Sequence, residues 1–179
     1  NLRAGVSYLP ATKKEVEDIY KTLKKSNISV SLLTDTLASE ASFKDLSGRN
    51  TRLLHLATHG FYWTEKEVQY SKNLNFLELN SLNVRYMEDK PLTRSGLLFS
   101  GANNALKGEK LPDNVDDGVL TAKEISLLDF RNLDLVVMSA CQTGLGEITG
   151  DGVFGLQRGF KKAGANTLLM SLWKVDDIA

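Results

Sequence analysis

The chain has 179 residues, 42% of them hydrophobic and 25% charged, which is typical of a globular protein with one sizeable core. Its 22 Lys and Arg residues balance 22 Asp and Glu residues, and this zero net charge gives no electrostatic reason to expect a nucleic acid or an anionic membrane as a direct partner. No apolar run reaches the roughly 18 residues of a transmembrane helix, and the single cysteine excludes an internal disulfide, so we expect a cytoplasmic protein.

The first third of the chain predicts strands and helices in alternation. Short apolar runs predict strands at residues 6–9, 28–33 and 52–58. A helix is predicted from Thr12, because Thr12 and Glu15 have the spacing of a capping box. A second, shorter helix is predicted at residues 38–46.

Residues 61–114 break this alternation. The segment is mixed and polar, and only residues 95–100 (SGLLFS) resemble a strand. We expect an insertion with its own hairpin or a lid, within a single domain that spans residues 1–179. The chain begins at Asn1 without a Met and stops where a helix is starting, so we expect a fragment that lacks the C-terminal end of the fold.

Regular alternation resumes at Thr121. The sequence TAKE gives Thr121 and Glu124 the spacing of a capping box, which predicts a helix to about residue 128. Apolar runs predict strands at residues 133–140 and 167–172, and a helix is predicted at residues 152–163 with Gly164 after its end. This pattern predicts an α/β fold with a mostly parallel central sheet and helices on both faces.

Two reactive side chains follow predicted strands. His59 is the second-last residue of LLHLATHG, and Cys141 ends LVVMSAC ahead of a glycine-rich polar loop. In a parallel sheet, reacting groups gather at the carboxyl ends of the strands, and a Cys nucleophile needs an imidazole within hydrogen-bond reach. The alternative is that Cys141 is an inert, buried hydrophobe.

Metal and nucleotide sites are weaker interpretations. His55 and His59 lie four residues apart, which on a strand separates them by about 13 Å at ~3.3 Å per residue, too far to share a metal ion. We therefore expect His55 to be a hydrogen-bonded core residue. The glycines of GDGVFG resemble a dinucleotide fingerprint, but nine residues separate them from the preceding strand, so we expect no cofactor.

Longer motifs carry a family resemblance. LLHLATHG, SGLLFSG and the block from DGVLTAKEISLLDF through SACQTGLGEITGDGVFG to SLWKVDD resemble the CHAT domain, a family grouped with caspases, separases and gingipains among cysteine peptidases. The resemblance implies a three-layer caspase-like (caspase–hemoglobinase) fold. It also implies that His59 is the catalytic histidine and Cys141 the nucleophile, with the backbone N–H groups of Gly60 and Cys141 as the oxyanion hole. No third member of a triad is apparent, so the resemblance implies a Cys–His dyad.

The resemblance to separases extends to the end of the chain. In separases an acidic residue after the LW strand end receives a basic P1 side chain, and Asp176 is the preferred match here, with Asp177 beside it and Trp173 as a pocket wall. The alternative is that both carboxylates cap a helix. Lys174 departs from the acidic residue that separases tend to have at this position.

These observations favour a bacterial cysteine endopeptidase that cleaves a protein or peptide substrate, with a basic residue expected at P1. The resemblance implies a tetratricopeptide-type or other sensor region, or an activator protein, as partner. Two alternatives stay open: a non-catalytic CHAT interaction module in a signalling or defence complex, and a Cys–His amidase acting on small molecules.

Overall fold

Five strands form one sheet in the part of the chain that the computed structural model describes, residues 5–62, 90–109, 111–112, 115–141 and 150–170. The strands are β1 (Leu53–Tyr62), β2 (Ser95–Leu98), β3 (Val119–Thr121), β4 (Leu135–Cys141) and β5 (Thr167–Met170). They lie in the order β3-β2-β1-β4-β5. β1, β4 and β5 are parallel, whereas β2 and β3 add an antiparallel half, so the predicted α/β class is confirmed with a mixed sheet.

Helices lie on both faces of this sheet. They are α1 (Pro10–Lys25), α2 (Glu40–Lys44), α3 (Lys90–Arg94), α4 (Ala102–Leu106), α5 (Ala122–Ile125) and α6 (Gly150–Lys162), with a 3-10 turn at Asp35–Leu37. One face packs against α2, α3, α5 and α6 around Leu56, Val136 and Met138. The other face meets α1, which has no buried residue of its own. One sheet face is therefore closed by a large apolar core, whereas the other carries α1 and a smaller apolar cluster that includes Phe61 and Leu98.

Aromatic side chains fill the closed core. The rings of Phe130 and Phe160 stack with centroids 6.0 Å apart, and Phe43 meets Phe130 edge-on at 5.6 Å. All three side chains are almost inaccessible to solvent. Such pairs stabilise a core beyond the area they bury, by about 0.5–1.5 kcal/mol each.

Local signals in the second half of the chain are confirmed. The Thr121 side chain accepts from the Glu124 N–H, and the Glu124 carboxylate accepts in return from the Thr121 N–H. Helix α5 nevertheless ends at Ile125, earlier than predicted. Gly164 has φ +100°, and its N–H donates to Lys161 while Ala165 N–H donates to Phe160, which is the Schellman pattern at the end of α6.

Several predictions for the first half of the chain are wrong. Residues 6–9 and 28–33 were predicted as strands and are not: the first segment pairs with a side chain instead of a strand, and the second lies at the surface with Ile28 and Leu33 about half exposed. The predicted Thr12 cap is also wrong. Helix α1 begins at Pro10, and the Thr12 hydroxyl donates to Leu9 O at 2.7 Å.

Glu40 forms an ion pair within α2 and a hydrogen bond that joins this helix to the residue before β3. Glu40 is only 3% exposed, accepts a hydrogen bond from Gly118 N–H at 2.9 Å and lies 2.5 Å from Lys44 Nζ. Burial raises the pKa of Glu40, and Lys44 opposes this rise only in part. The single ammonium is shared with Asp116 at 2.9 Å, which explains why it does not fully offset the desolvation of Glu40.

Replacing Glu40 with Gln should change how stability depends on pH. A carboxyl with a raised pKa holds its proton more tightly in the folded state, so its contribution to stability becomes less favourable as pH rises from the ordinary value of 4.5 through the folded value. Wild type should therefore lose stability relative to Glu40→Gln across that window, measured by urea unfolding at a series of pH values. Glu109→Gln, at an exposed site, is the control. A pH-independent difference between wild type and Glu40→Gln would contradict this.

Candidate active site

The parallel pairing of β1 and β4 brings the two predicted catalytic positions together. Seven consecutive residue pairs run from Leu53 opposite Leu135 to His59 opposite Cys141. Neighbouring strands lie about 4.8 Å apart, so the backbones of His59 and Cys141 are direct neighbours. Within the described residues this is the last pair of the two strands, and β1 continues beyond it to Tyr62. His59 and Cys141 therefore lie at the carboxyl end of β4, although the Cys141 side chain lies outside the described residues.

The His59 ring is buried, with 7% of the residue exposed, and it is oriented by the start of the chain. Its Nε2 lies 2.7 Å from the carbonyl oxygen of Ser7. A carbonyl oxygen only accepts hydrogen bonds, so Nε2 carries a proton and donates it to this contact. In the neutral ring the lone pair is then on Nδ1. Sequence reasoning missed this partner, because a backbone carbonyl has no residue-type signature.

Gly60 follows His59 within β1 and is buried in the sheet, opposite Leu97 of β2. The preceding residue, Thr58, donates its hydroxyl to the carbonyl oxygen of Leu98 on β2. This side-chain bond supplements the pairing between β1 and β2 next to the histidine. The backbone of His59 and Gly60 is thus held by the antiparallel strand β2, and that of His59 also by the parallel strand β4.

A carboxylate from α1 bridges β1 and β4 beneath this pair. Glu15 Oε1 lies 2.9 Å from His55 Nε2, and Glu15 Oε2 accepts from the Ser139 hydroxyl at 3.0 Å. Ser139 lies two residues before Cys141 on β4, and His55 lies four residues before His59 on β1. The predicted hydrogen-bonded role of His55 is confirmed. The spacing of Thr12 and Glu15 predicted a capping box, so sequence reasoning also missed this bridge.

Other predicted site residues have no described structure. Trp173, Asp176 and Asp177 lie outside the described residues, as do residues 63–89 of the predicted insertion. In the described ranges, no three His, Cys, Asp or Glu side chains come together in a way that could hold a metal ion. No helix of these ranges combines the length and apolar character needed to cross a bilayer.

Comparison with known proteins decides the family. The family model described as "CHAT domain" matches residues 2–179. The chain belongs to the CHAT domain family. Members of this family are caspase-like and related to cysteine peptidases. The chain is also similar to mouse (Mus musculus) "Tetratricopeptide repeat protein 28", with 45% identity over 58 residues, which is 32% of this chain and 2% of that protein. No solved structure matches the chain significantly.

Removing the Glu15 carboxylate should loosen the β1–β4 pair of this CHAT domain. Glu15→Ala loses two hydrogen bonds and should lower the free energy of unfolding by about 1–2 kcal/mol, measured by urea unfolding. Glu17→Ala, on the same helix, should change it by less than about 0.5 kcal/mol. In a double-mutant cycle with Ser139→Ala we expect a coupling of at least about 0.5 kcal/mol. Additive effects of Glu15→Ala and Ser139→Ala would show that the bridge does not contribute.

Proposed function

We propose that this CHAT domain is a cysteine endopeptidase that cleaves peptide bonds in a partner protein through His59 and Cys141. The observation that carries the proposal is the register of β1 and β4, in which His59 and Cys141 are paired positions of adjacent parallel strands. Registered neighbours on parallel strands project to the same face of a sheet. Membership of a caspase-like, peptidase-related family supports the same assignment.

The hydrogen bond from His59 to Ser7 supports a specific route for the proposed proton transfers. Because Nε2 carries the proton donated to Ser7, Nδ1 is the nitrogen that accepts the proton of the Cys141 thiol. The resulting thiolate attacks the carbonyl carbon of the substrate peptide bond, which forms a tetrahedral oxyanion. In this proposal the N–H groups of Gly60 and Cys141 stabilise that oxyanion. Loss of one such donor typically costs about 2.7–4 kcal/mol of transition-state stabilisation.

The second half of the reaction returns the enzyme to its starting state. The imidazolium of His59 gives its Nδ1 proton to the leaving amine as the peptide bond breaks, leaving a thioester on Cys141. Water then gives a proton to Nδ1 and adds to the thioester carbonyl. Collapse of this intermediate expels the Cys141 thiolate, which recovers a proton from His59, and releases the new carboxyl group. No cofactor enters the proposed cycle.

Recognition of the substrate completes the proposal. We infer that Asp176 binds a basic P1 side chain, with Asp177 and Trp173 contributing to the pocket, because a carboxylate pairs bidentately with a guanidinium. The relative named for its tetratricopeptide repeats supports a repeat region of that type as neighbour or partner of this domain.

The catalytic assignment is tested with the full-length protein on a positional peptide library, with cut sites read by mass spectrometry. Cys141→Ala should abolish cleavage because it removes the nucleophile. His59→Ala should lower kcat by about 100- to 10,000-fold because it removes the acid–base group. His55→Gln, the matched control on the same strand, should retain activity.

A second readout does not require turnover. Alkylation of Cys141 by iodoacetamide at mildly acidic pH, followed on the Cys141 peptide, reports how readily its thiolate forms. It should be slower in His59→Ala than in wild type and unchanged in His55→Gln. Equal rates in all three proteins, together with no Cys141-dependent cleavage, would contradict the peptidase proposal and favour the interaction module.

The specificity assignment needs its own variants. Asp176→Asn removes the charge that pairs with an arginine at P1 and should lower kcat/KM for such peptides by about 30-fold or more. Asp177→Asn, its neighbour, should have a smaller effect. The comparison uses paired peptides with Arg or Gln at P1. An unchanged Arg-to-Gln preference in Asp176→Asn would show that Asp176 does not select the substrate.

A further inference from the structure

The carbonyl that orients His59 belongs to a segment outside the sheet. Residues 5–9 form neither helix nor strand, and Ser7 and Tyr8 are exposed. Such a segment has no ladder of backbone hydrogen bonds to keep one carbonyl oxygen 2.7 Å from a ring nitrogen. Another group must therefore hold the backbone next to Ser7.

Asn103 provides that contact. Its Oδ1 accepts from the N–H of Val6 at 2.7 Å, and its Nδ2 donates to the carbonyl oxygen of Val6 at 3.1 Å. One side-chain amide thus satisfies both backbone groups of the residue before Ser7, as a neighbouring strand would do. A planar side chain that offers an acceptor and a donor side by side is available only from Asn or Gln.

Asn103 is itself held by the same packing that supports the histidine. It lies on α4, whose residues Ala102, Ala105 and Leu106 are buried in a cluster with Phe61 and Leu98. Phe61 lies two residues after His59 on β1, and Leu98 is the β2 partner of His59. The Val6 side chain packs against this cluster as well. The amide and the imidazole therefore have a common rigid support.

Gly5 fits the same arrangement. It has φ +69°, in the region that favours glycine, and a Cβ at this position would lie 2.7 Å from Asn103 Oδ1. A larger residue would therefore be strained and would push against the amide. The approach of the two groups requires glycine at position 5.

We propose that Asn103 is a positioning residue for the Cys–His reaction. By holding both backbone groups of Val6, it keeps the Ser7 carbonyl against His59 Nε2 and so determines the orientation and tautomer of the ring. This inference rests on the proposed peptidase function. Asn103 acts through the backbone of Val6 and Ser7.

Steady-state kinetics of the full-length protein test the role in turnover. Asn103→Leu keeps a similar shape but loses both hydrogen bonds, and it should lower kcat by about 10- to 100-fold with KM unchanged, since misplacement of a catalytic group affects the chemical step. Asn103→Asp retains an acceptor for the Val6 N–H and should lose less. Asn104→Leu, on the exposed side of the same helix, should behave as wild type. Gly5→Ala should reproduce the defect of Asn103→Leu.

The tautomer of His59 distinguishes a positioning role of Asn103 from a purely structural one, because loss of stability alone would not change it. Imidazole ¹⁵N shifts of the histidine-labelled protein, assigned by the signals missing from His59→Gln, should show Nε2–H in wild type and in Asn104→Leu. Asn103→Leu should shift His59 towards a mixture of tautomers. This measurement needs no substrate, so it decides the inference even if wild type shows no Cys141-dependent cleavage and the proposed function fails.

Unchanged His59 shifts in Asn103→Leu would overturn the inference, whatever the activity of the wild-type protein. So would a kcat of Asn103→Leu equal to that of wild type, or an equal loss in Asn104→Leu. Altered shifts in Asn103→Leu and Gly5→Ala, with normal shifts in Asn104→Leu, support it.

Discussion

The parallel register of β1 and β4 is the constraint on which the rest of the structure depends. Side chains alternate between the faces of a strand, so a slip of one residue would move His59 to the closed face of the sheet. On that face, Leu56, Val136 and Met138 are buried in the apolar core and oppose any slip. On the other face, Glu15 bridges the same two strands. Core packing and a polar bridge thus specify one register, and that register pairs the two proposed catalytic positions.

The two faces of the sheet have different physical tasks. The closed face carries the larger of the two buried apolar clusters, so it contributes most of the hydrophobic stabilisation. On the face beneath α1, His55 and Ser139 are both hydrogen-bonded to Glu15 of that helix. These polar groups are largely shielded from water, and their hydrogen bonds offset the cost of that desolvation. The imidazole of the proposed reaction lies among such groups.

Identical local patterns had different outcomes, which shows where sequence reasoning stops. The pair Thr121 and Glu124 forms a capping box, whereas Thr12 and Glu15 have the same spacing and form none. Glu15 instead binds side chains from β1 and β4, partners that are distant in sequence and follow only from the assembled fold. The apolar runs of β1 and β4 were predictable because they depend on local periodicity, whereas the expectation that His59 and Cys141 lie close together came from the rule that reacting groups gather at the carboxyl ends of parallel strands. Residues 28–33 lie at the surface and do not pair with the sheet. Whether an apolar run pairs depends on which sheet edges are available, and this cannot be inferred from the local sequence.

The site is built from three distant segments, and they contribute different kinds of group. β1 contributes the imidazole of His59, and β4 contributes Cys141, whose backbone is paired with that of His59. Residues 5–9 contribute only the carbonyl oxygen of Ser7. A carbonyl is present whatever residue occupies position 7, so the identity of Ser7 has little effect on this contact. Its position is what must be maintained, and that task passes to the residues that hold the backbone. The identities of Gly5 and Asn103, which do not touch the histidine, therefore matter more for this contact than the identity of Ser7, which does.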